Sequence, residues 1–273
     1  MKLWKRSVGR DDKLQLQLEA SSEAEMIGVT SVVAFRNGTR AVAAYQDAVI
    51  RVLNLESSDD DSTKMHEISK IDPGLLEAWT ICLSPAEDVV FSGTHRGSIN
   101  IWSMESHHEK MSSLDTHNKF ILSTACSCDM KLATSGADGY VNVFDINTSQ
   151  NIRKVEAHAL PTRSIAFSPD GNLIYTASDD RHVSVYDTVS GAVVNSFSQT
   201  GMAFSVDTSS DHRHFAVACA DHTVALWDLG MQRIVNSYDQ HSDQVWSVCF
   251  DKSDSSGKRF ASVGDDSLLQ LYE

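Results

Sequence analysis

Three sets of a histidine, an aspartate and a hydroxyl residue recur at matching positions along this sequence. They are His117 with Asp138 and Thr134, His158 with Asp180 and Thr176, and His241 with Asp266 and Ser262. An imidazole, a carboxylate and a hydroxyl are the groups that nucleophilic catalysis uses. A catalytic site occurs once in a chain, however, whereas this combination repeats. We therefore predict a structural hydrogen-bond network that holds a loop to a later turn, and no catalytic residues.

The same segments end in an aromatic residue, and a polar or acidic residue usually follows it. Tyr186 closes the most complete copy, and related positions recur every 41 to 49 residues at 4, 53, 102, 144, 186, 227 and 272. A period in the low forties with a Trp-Asp-like signature is typical of a β-propeller blade. The sequence therefore predicts a binding surface and not an active site.

The repeat at 150–187 shows how each blade is built. Four short alternating segments are separated by Ala157-His158, by Pro169-Asp170-Gly171-Asn172 and by Asp179-Asp180-Arg181, which are turn-forming sequences. We predict one all-β propeller domain over 1–273. Its repeats lie at roughly 1–5 (partial), 13–54, 63–103, 109–145, 150–187, 191–228 and 233–273.

Composition excludes several classes of function. The formal net charge is −14, and no basic cluster is present, so we predict no direct contact with nucleic acid. No apolar stretch approaches the roughly 18 residues of a membrane span, and the start lacks a signal sequence. The five cysteines lack zinc-site spacing. We expect an intracellular protein without membrane, metal, cofactor or small-molecule substrate.

The repeats resemble those of WD-repeat propellers over essentially the whole chain. A narrower resemblance is to the small WD-repeat subunit of the superkiller complex, which is also part of the RNA polymerase II-associated factor complex. It is carried by the segments Glu77-Ala78-Trp79-Thr80, Lys119-Phe120-Ile121-Leu122-Ser123, Val141-Asn142-Val143-Phe144-Asp145, Asp243-Gln244-Val245-Trp246 and Ser262-Val263-Gly264-Asp265-Asp266.

That resemblance implies a non-enzymatic scaffold. Its partners would be a tetratricopeptide subunit and an RNA helicase in exosome-linked mRNA decay, and polymerase-associated factors in transcription elongation. The implied locations are cytoplasm and nucleus. The alternative is a substrate receptor of a cullin ubiquitin ligase. Such receptors often carry Arg two residues after the Trp-Asp pair, where this chain has Gly230 and Asn147.

The resemblance also implies seven blades, of which the N-terminal one is incomplete here. Met1 to Trp4 matches a third strand and Leu14 to Leu18 a fourth, whereas the chain ends on the third strand of its last repeat. We expect an incomplete chain that leaves an open ring with unpaired edges. In the alternative, Leu14 to Leu18 forms the outer strand of the C-terminal blade and closes six blades.

Aligning the repeats places large side chains at one mouth of the central channel, on the face that carries the histidines. The predicted partner-binding residues are Glu77, Trp79, Phe120, Leu122, Arg163, Asp179, Met202, Phe204, Trp246 and Asp265. Trp and Arg are frequent in binding hot spots, and Met suits adaptable contacts. We predict that an apolar anchor enters among Trp79, Phe204 and Trp246. A basic partner side chain would then meet Glu77, Asp179 or Asp265.

Overall fold

Short antiparallel strands form all the regular structure that the described part of the chain contains. The computed structural model describes residues 2–8, 14–21, 28–57, 63–74, 77–105, 108–254 and 256–273. The predicted partial repeat at 1–5 falls within these ranges except for residue 1, which lies outside them. No helix in these ranges is long and apolar enough to cross a membrane.

Strands β3 to β25 form six sheets that follow one another along the chain, and we call these sheets blades 1 to 6. Blade 1 contains β3 (Val29–Ala34), β4 (Arg40–Tyr45), β5 (Ile50–Ser57) and β6 (Thr63–Ile71). Blade 2 contains β7 (Thr80–Leu83), β8 (Val89–Gly93), β9 (Ser98–Ser103) and β10 (Lys110–Asp115). Blade 3 contains β11 (Ile121–Cys126), β12 (Lys131–Gly136), β13 (Tyr140–Asp145) and β14 (Asn151–Glu156).

The remaining blades continue the same order of inner, second, third and outer strand. Blade 4 contains β15 (Thr162–Phe167), β16 (Leu173–Ser178), β17 (His182–Asp187) and β18 (Val193–Ser198). Blade 5 contains β19 (Ala203–Thr208), β20 (His214–Cys219), β21 (Val224–Asp228) and β22 (Arg233–Tyr238). Blade 6 has three strands: β23 (Val245–Phe250), β24 (Phe260–Gly264) and β25 (Leu269–Tyr272).

The core lies between neighbouring blades, because the second and third strands are mostly buried on both faces. Phe215 of blade 5 is fully buried, and its ring lies 5.2 Å from that of Tyr175 in blade 4. Outer strands are mostly exposed, whereas the inner strands of all six blades line one central channel. Each blade therefore gains much of its buried surface by stacking on its neighbours.

The inner strands of neighbouring blades are also joined by a recurring hydrogen bond. A serine hydroxyl on one inner strand accepts the backbone N–H of a residue on the next. The four pairs are Ser31 with Ile81, Ser123 with Ile165, Ser164 with Val206, and Ser205 with Val248, at 3.2–3.3 Å.

The prediction of seven blades was wrong: the described residues form six. The N-terminal segment contributes only β1 (Lys2–Val8) and β2 (Leu14–Ser21), which pair with each other in a two-stranded sheet. A seventh blade would also need an inner and a second strand beside β1. The alternative six-blade closure was wrong as well, because β2 does not pair with β25. Instead, β2 contacts β6, the outer strand of blade 1.

Candidate functional site

The histidine, aspartate and hydroxyl of blade 3 lie in direct contact. His117 precedes β11, and Asp138 stands in the turn between β12 and β13. The Nδ1–H of His117 donates to Asp138 over 2.9 Å, and Nε2 lies 2.9 Å from the Thr134 hydroxyl. The carboxylate also accepts the N–H of Tyr140. One imidazole thus joins the loop before the inner strand to the following turn.

Blades 4 and 6 repeat this geometry. His158 lies 2.8 Å from both Asp180 and Thr176. His241 lies 2.8 Å from Asp266 and 2.7 Å from Ser262. The tyrosines that close these two repeats have different hydrogen-bond partners. The Tyr272 hydroxyl lies 2.9 Å from the Ser262 hydroxyl. The Tyr186 hydroxyl donates to the Ala157 carbonyl at 2.8 Å.

In two blades the turn aspartate has other partners. The hydroxyl of Thr200 donates to Asp221 in blade 5. In blade 1 the guanidinium of Arg51 forms an ion pair with Asp47 at 2.9 Å. An aspartate in the turn after the second strand is therefore common to these blades. Its side-chain donor is a histidine, a threonine or an arginine, depending on the blade.

Burial lowers the pKa of His117 and of His158 below the ordinary value of 6.5, against the opposing effect of their aspartate partners. Unfolding therefore takes up protons below about pH 6.5. The resulting stability is present above that pH and is lost as the pH falls through the lowered values. We expect the free energy of unfolding, measured in urea, to decrease from pH 7 to pH 5.

Two variants isolate this effect. In the double variant His117→Asn/His158→Asn the decrease with falling pH should be smaller, because neither side chain titrates. Replacement of the exposed His66 by Asn should leave it unchanged. An equally steep decrease in the double variant would contradict the assignment.

The second group of predicted residues lies around one end of the central channel. The channel has a volume of about 680 Å³. Six of the ten predicted partner-binding residues line it: Trp79, Leu122, Arg163, Phe204, Trp246 and Asp265. In blades 3, 4 and 6 the histidine networks join the loop before the inner strand to the turn after the second strand at this end.

Blades 5 and 6 place two aromatic rings against each other at this mouth. The rings of Phe204 and Trp246 stack with centroids 4.6 Å apart and an interplanar angle of 13°. Trp246 nevertheless remains 46% exposed. Arg163 lies over Phe204, 5.5 Å from its centroid, and forms two parallel hydrogen bonds with Asp179 at 2.8 and 2.9 Å. This bidentate pair holds the guanidinium in place.

Blades 2 and 3 contribute a further aromatic group. Phe120 stacks on His95 at 4.0 Å, and the edge of Trp79 meets Phe120 at 5.2 Å. We call the five rings of Trp79, His95, Phe120, Phe204 and Trp246 the aromatic mouth. The predicted partner-binding set did not include His95, although it stands immediately before the turn position of its repeat.

The predicted acidic residues differ in what they contact. The carboxylate of Asp179 is paired with Arg163, and that of Glu77 accepts the side-chain amide of Asn100 at 2.9 Å. Asp265 is exposed at the mouth, as is Met202 at the start of blade 5. The surface therefore combines an exposed apolar platform with a solvent-facing carboxylate, and this chemistry suits an apolar anchor next to a basic group.

None of the five cysteines is among the residues that line the channel. The thiols of Cys82 and Cys126 contact each other at 3.3 Å between blades 2 and 3, and burial raises the pKa of the Cys126 thiol. Cys128 is directed to the Pro169 carbonyl at 3.3 Å. Among the described residues no group of three His, Cys, Asp or Glu side chains could hold a metal ion.

Comparison with known proteins agrees with this architecture. The family described as "WD domain, G-beta repeat" matches residues 108–145, 149–187, 192–228 and 232–273. The chain is 32% identical to WD repeat-containing protein SL1-17 of Schistosoma mansoni, over 95% of this chain and 83% of that protein. It is 32% identical to meiotic recombination protein rec14 of Schizosaccharomyces pombe, over 42% of this chain and 38% of that protein.

A solved structure shares the fold. A chain in the crystal structure of the mitotic checkpoint complex superposes with a TM-score of 0.79 at 16% identity, over 96% of this chain and 78% of that one. At this identity the likeness concerns the fold alone. The repeat matches, the relatives and the blade geometry agree, and this chain belongs to the WD-repeat family.

Proposed function

We propose that this protein is a non-enzymatic scaffold and that its aromatic mouth binds short segments of partner proteins. The observation that carries the proposal is the exposed Trp246, which is stacked on Phe204 at the channel mouth. A tryptophan that keeps nearly half of its surface in water while its ring is rigidly positioned has the properties of a binding hot spot.

The buried histidines support a binding role over a catalytic one. The side chains of His117, His158 and His241 have relative exposures of 0%, 1% and 0%. A general base has to come within hydrogen-bond reach of its substrate. These imidazoles are instead occupied on both ring nitrogens by residues of their own blade.

We further propose that the chain is a subunit of the superkiller complex and of the polymerase-associated factor complex, in cytoplasm and nucleus. Support comes from its resemblance to that WD-repeat subunit in the segments around Trp79, Phe120 and Trp246. Those segments also form the aromatic mouth. The names of the two relatives reported above do not mention either complex, so the partners have to be identified directly.

Replacing Trp246 with Ala tests the binding surface. If the ring is a hot spot, the change should weaken partner binding by about 2 kcal/mol, or about thirtyfold in Kd. Tagged protein would recover partners for mass spectrometry, and titration calorimetry with a recovered partner would give the Kd. We expect the tetratricopeptide subunit with the RNA helicase, or polymerase-associated factors.

The control is Met231→Ala, which removes an exposed apolar side chain from the turn between β21 and β22. It should leave both recovery and Kd unchanged. Unchanged affinity of a folded Trp246→Ala variant would place the binding surface elsewhere. Recovery of cullin adaptors instead would support the ubiquitin-ligase alternative.

A further inference from the structure

Two cysteine side chains meet across the interface between blades 2 and 3. Cys82 lies on β7 and Cys126 on β11, the inner strands of these two blades. Both thiols are free, and their sulfur atoms are 3.3 Å apart. A covalent bond between them would bring the sulfurs to about 2.05 Å. The two thiols are therefore placed so that a short movement of the side chains would join them.

The fold does not require cysteine at either position. The serines that link neighbouring inner strands align these strands with one another. The residues that correspond to Cys82 and Cys126 in the other interfaces are Val33 with Leu83, Ala125 with Phe167, Ala166 with Thr208, and Asp207 with Phe250. The last pair is in contact, since the Asp207 carboxylate accepts the N–H of Phe250 at 2.8 Å. Because apolar, hydroxyl and acidic side chains all occur there, packing alone does not explain two facing thiols.

The two inner strands lie side by side at the level of the cysteines. Two residues before each cysteine, the hydroxyls of Thr80 and Thr124 contact each other at 3.3 Å. Both cysteines also belong to one apolar cluster that spans blades 2 and 3. The strands therefore do not have to slide past each other for the two sulfurs to join.

The two thiols differ in how easily an oxidant reaches them. Cys126 is half-buried, whereas Cys82 is only 7% exposed, so a small oxidant meets Cys126 first. Burial raises the pKa of the Cys126 thiol, and the thiolate is the form that reacts. The first step is therefore slow, and the site responds to sustained exposure to an oxidant. The second step is intramolecular, because the Cys82 sulfur already lies in contact.

We propose that Cys82 and Cys126 are a redox modification site, at which a peroxide converts the two thiols into a disulfide that stabilises the interface between blades 2 and 3. Hydrogen peroxide first oxidises the Cys126 thiol to a sulfenic acid and releases one water molecule. The Cys82 sulfur then attacks the Cys126 sulfur, the S–S bond forms and a second water molecule leaves. Each thiol loses its hydrogen, and the two electrons pass to the peroxide, which is the only co-reactant.

The link would act on the two inner strands and on the chain between them. A disulfide restricts the unfolded chain, and it also prevents openings that separate the two strands. We therefore expect Tm to rise by roughly 5 °C on oxidation. The backbone amides of β7 and β11 should exchange more slowly with solvent in the oxidised protein than in the reduced protein.

Peptide mapping of the full chain tests the proposal directly. Reduced, desalted protein would be incubated with hydrogen peroxide, and the remaining thiols would be blocked before digestion without reductant. Mass spectrometry should then recover one linked pair of peptides that contains Cys82 and Cys126. The exposed Cys128 is the nearest competitor in sequence, but its thiol is directed to the Pro169 carbonyl in blade 4.

Two variants separate this site from the other thiols. Cys126→Ser should abolish both the link and the rise in Tm, whereas Cys128→Ser should leave both unchanged. If Cys126→Ser does not fold, the map and the Tm of the wild-type chain still decide the question. Linkage of Cys126 to Cys128, or thiols that stay reduced until urea unfolds the chain, would overturn the proposal. So would a link between Cys82 and Cys126 that leaves Tm unchanged.

Discussion

Replacing Gly97 with Ala is expected to lower the free energy of unfolding by about 3 kcal/mol, since it combines backbone strain with overpacking. Gly97 has a φ of +91° in the turn between β8 and β9, and an added Cβ would lie 2.1 Å from the His117 carbonyl oxygen. Its own carbonyl accepts the N–H groups of Thr116 and His117 at 3.0 and 2.8 Å. The clash would therefore separate the turn of blade 2 from the loop that leads into blade 3.

Gly74→Ala is the matched control for this prediction. Gly74 has a φ of +94°, but nothing lies within 4 Å of an added Cβ. Ala at Gly74 should cost only about 1 kcal/mol, the strain of a left-handed conformation. Urea unfolding of both variants separates the two contributions. Equal losses of unfolding free energy in the two variants would mean that the loop at His117 moves away from the added Cβ without an energetic cost.

The second large effect is expected from His158→Leu. Leucine fills much of the space but leaves the Thr176 hydroxyl and one side of the Asp180 carboxylate without the imidazole. We expect a loss of about 3 kcal/mol in the free energy of unfolding, because Thr176 and Asp180 each lose one hydrogen bond while they keep those to Ser184 and His182. The measurement is urea unfolding monitored by tryptophan fluorescence at pH 7.5, where the wild-type histidine is neutral.

His66→Leu serves as the control, because it makes the same change at an exposed position on β6 and should cost less than about 0.5 kcal/mol. The comparison also separates the two interpretations of the recurring set. In a catalytic triad, stability would change little while an activity disappeared. A stability loss in the His158 variant no larger than that of His66→Leu would contradict the structural role.

The repeat period was sufficient to predict the strands and the networks within each blade. The turn-forming residues and the alternation of apolar residues predicted where His158, Thr176 and Asp180 lie in their blade, and the structure brings the three together. This was possible because their contacts depend on the strand register within one sheet. The WD-repeat family assignment was confirmed by the repeat matches.

Contacts between segments were less predictable. Alternation in β2 identifies a strand but not its partner, so the sequence did not distinguish pairing with β1 from pairing with β25. Asp179 was expected to face a partner protein, yet the structure pairs it with Arg163. That choice depends on side-chain rotamers at neighbouring positions, about which a repeat alignment carries no information.

The stacking of the blades has a consequence for cooperativity. Each of blades 2 to 5 shares an apolar cluster with the blade on either side, so opening any one of them breaks two interfaces. The free energy of unfolding then depends on contributions from each repeat and from each interface between neighbours. We therefore expect the backbone amides of the second and third strands in these blades to exchange with solvent more slowly than those of the exposed outer strands.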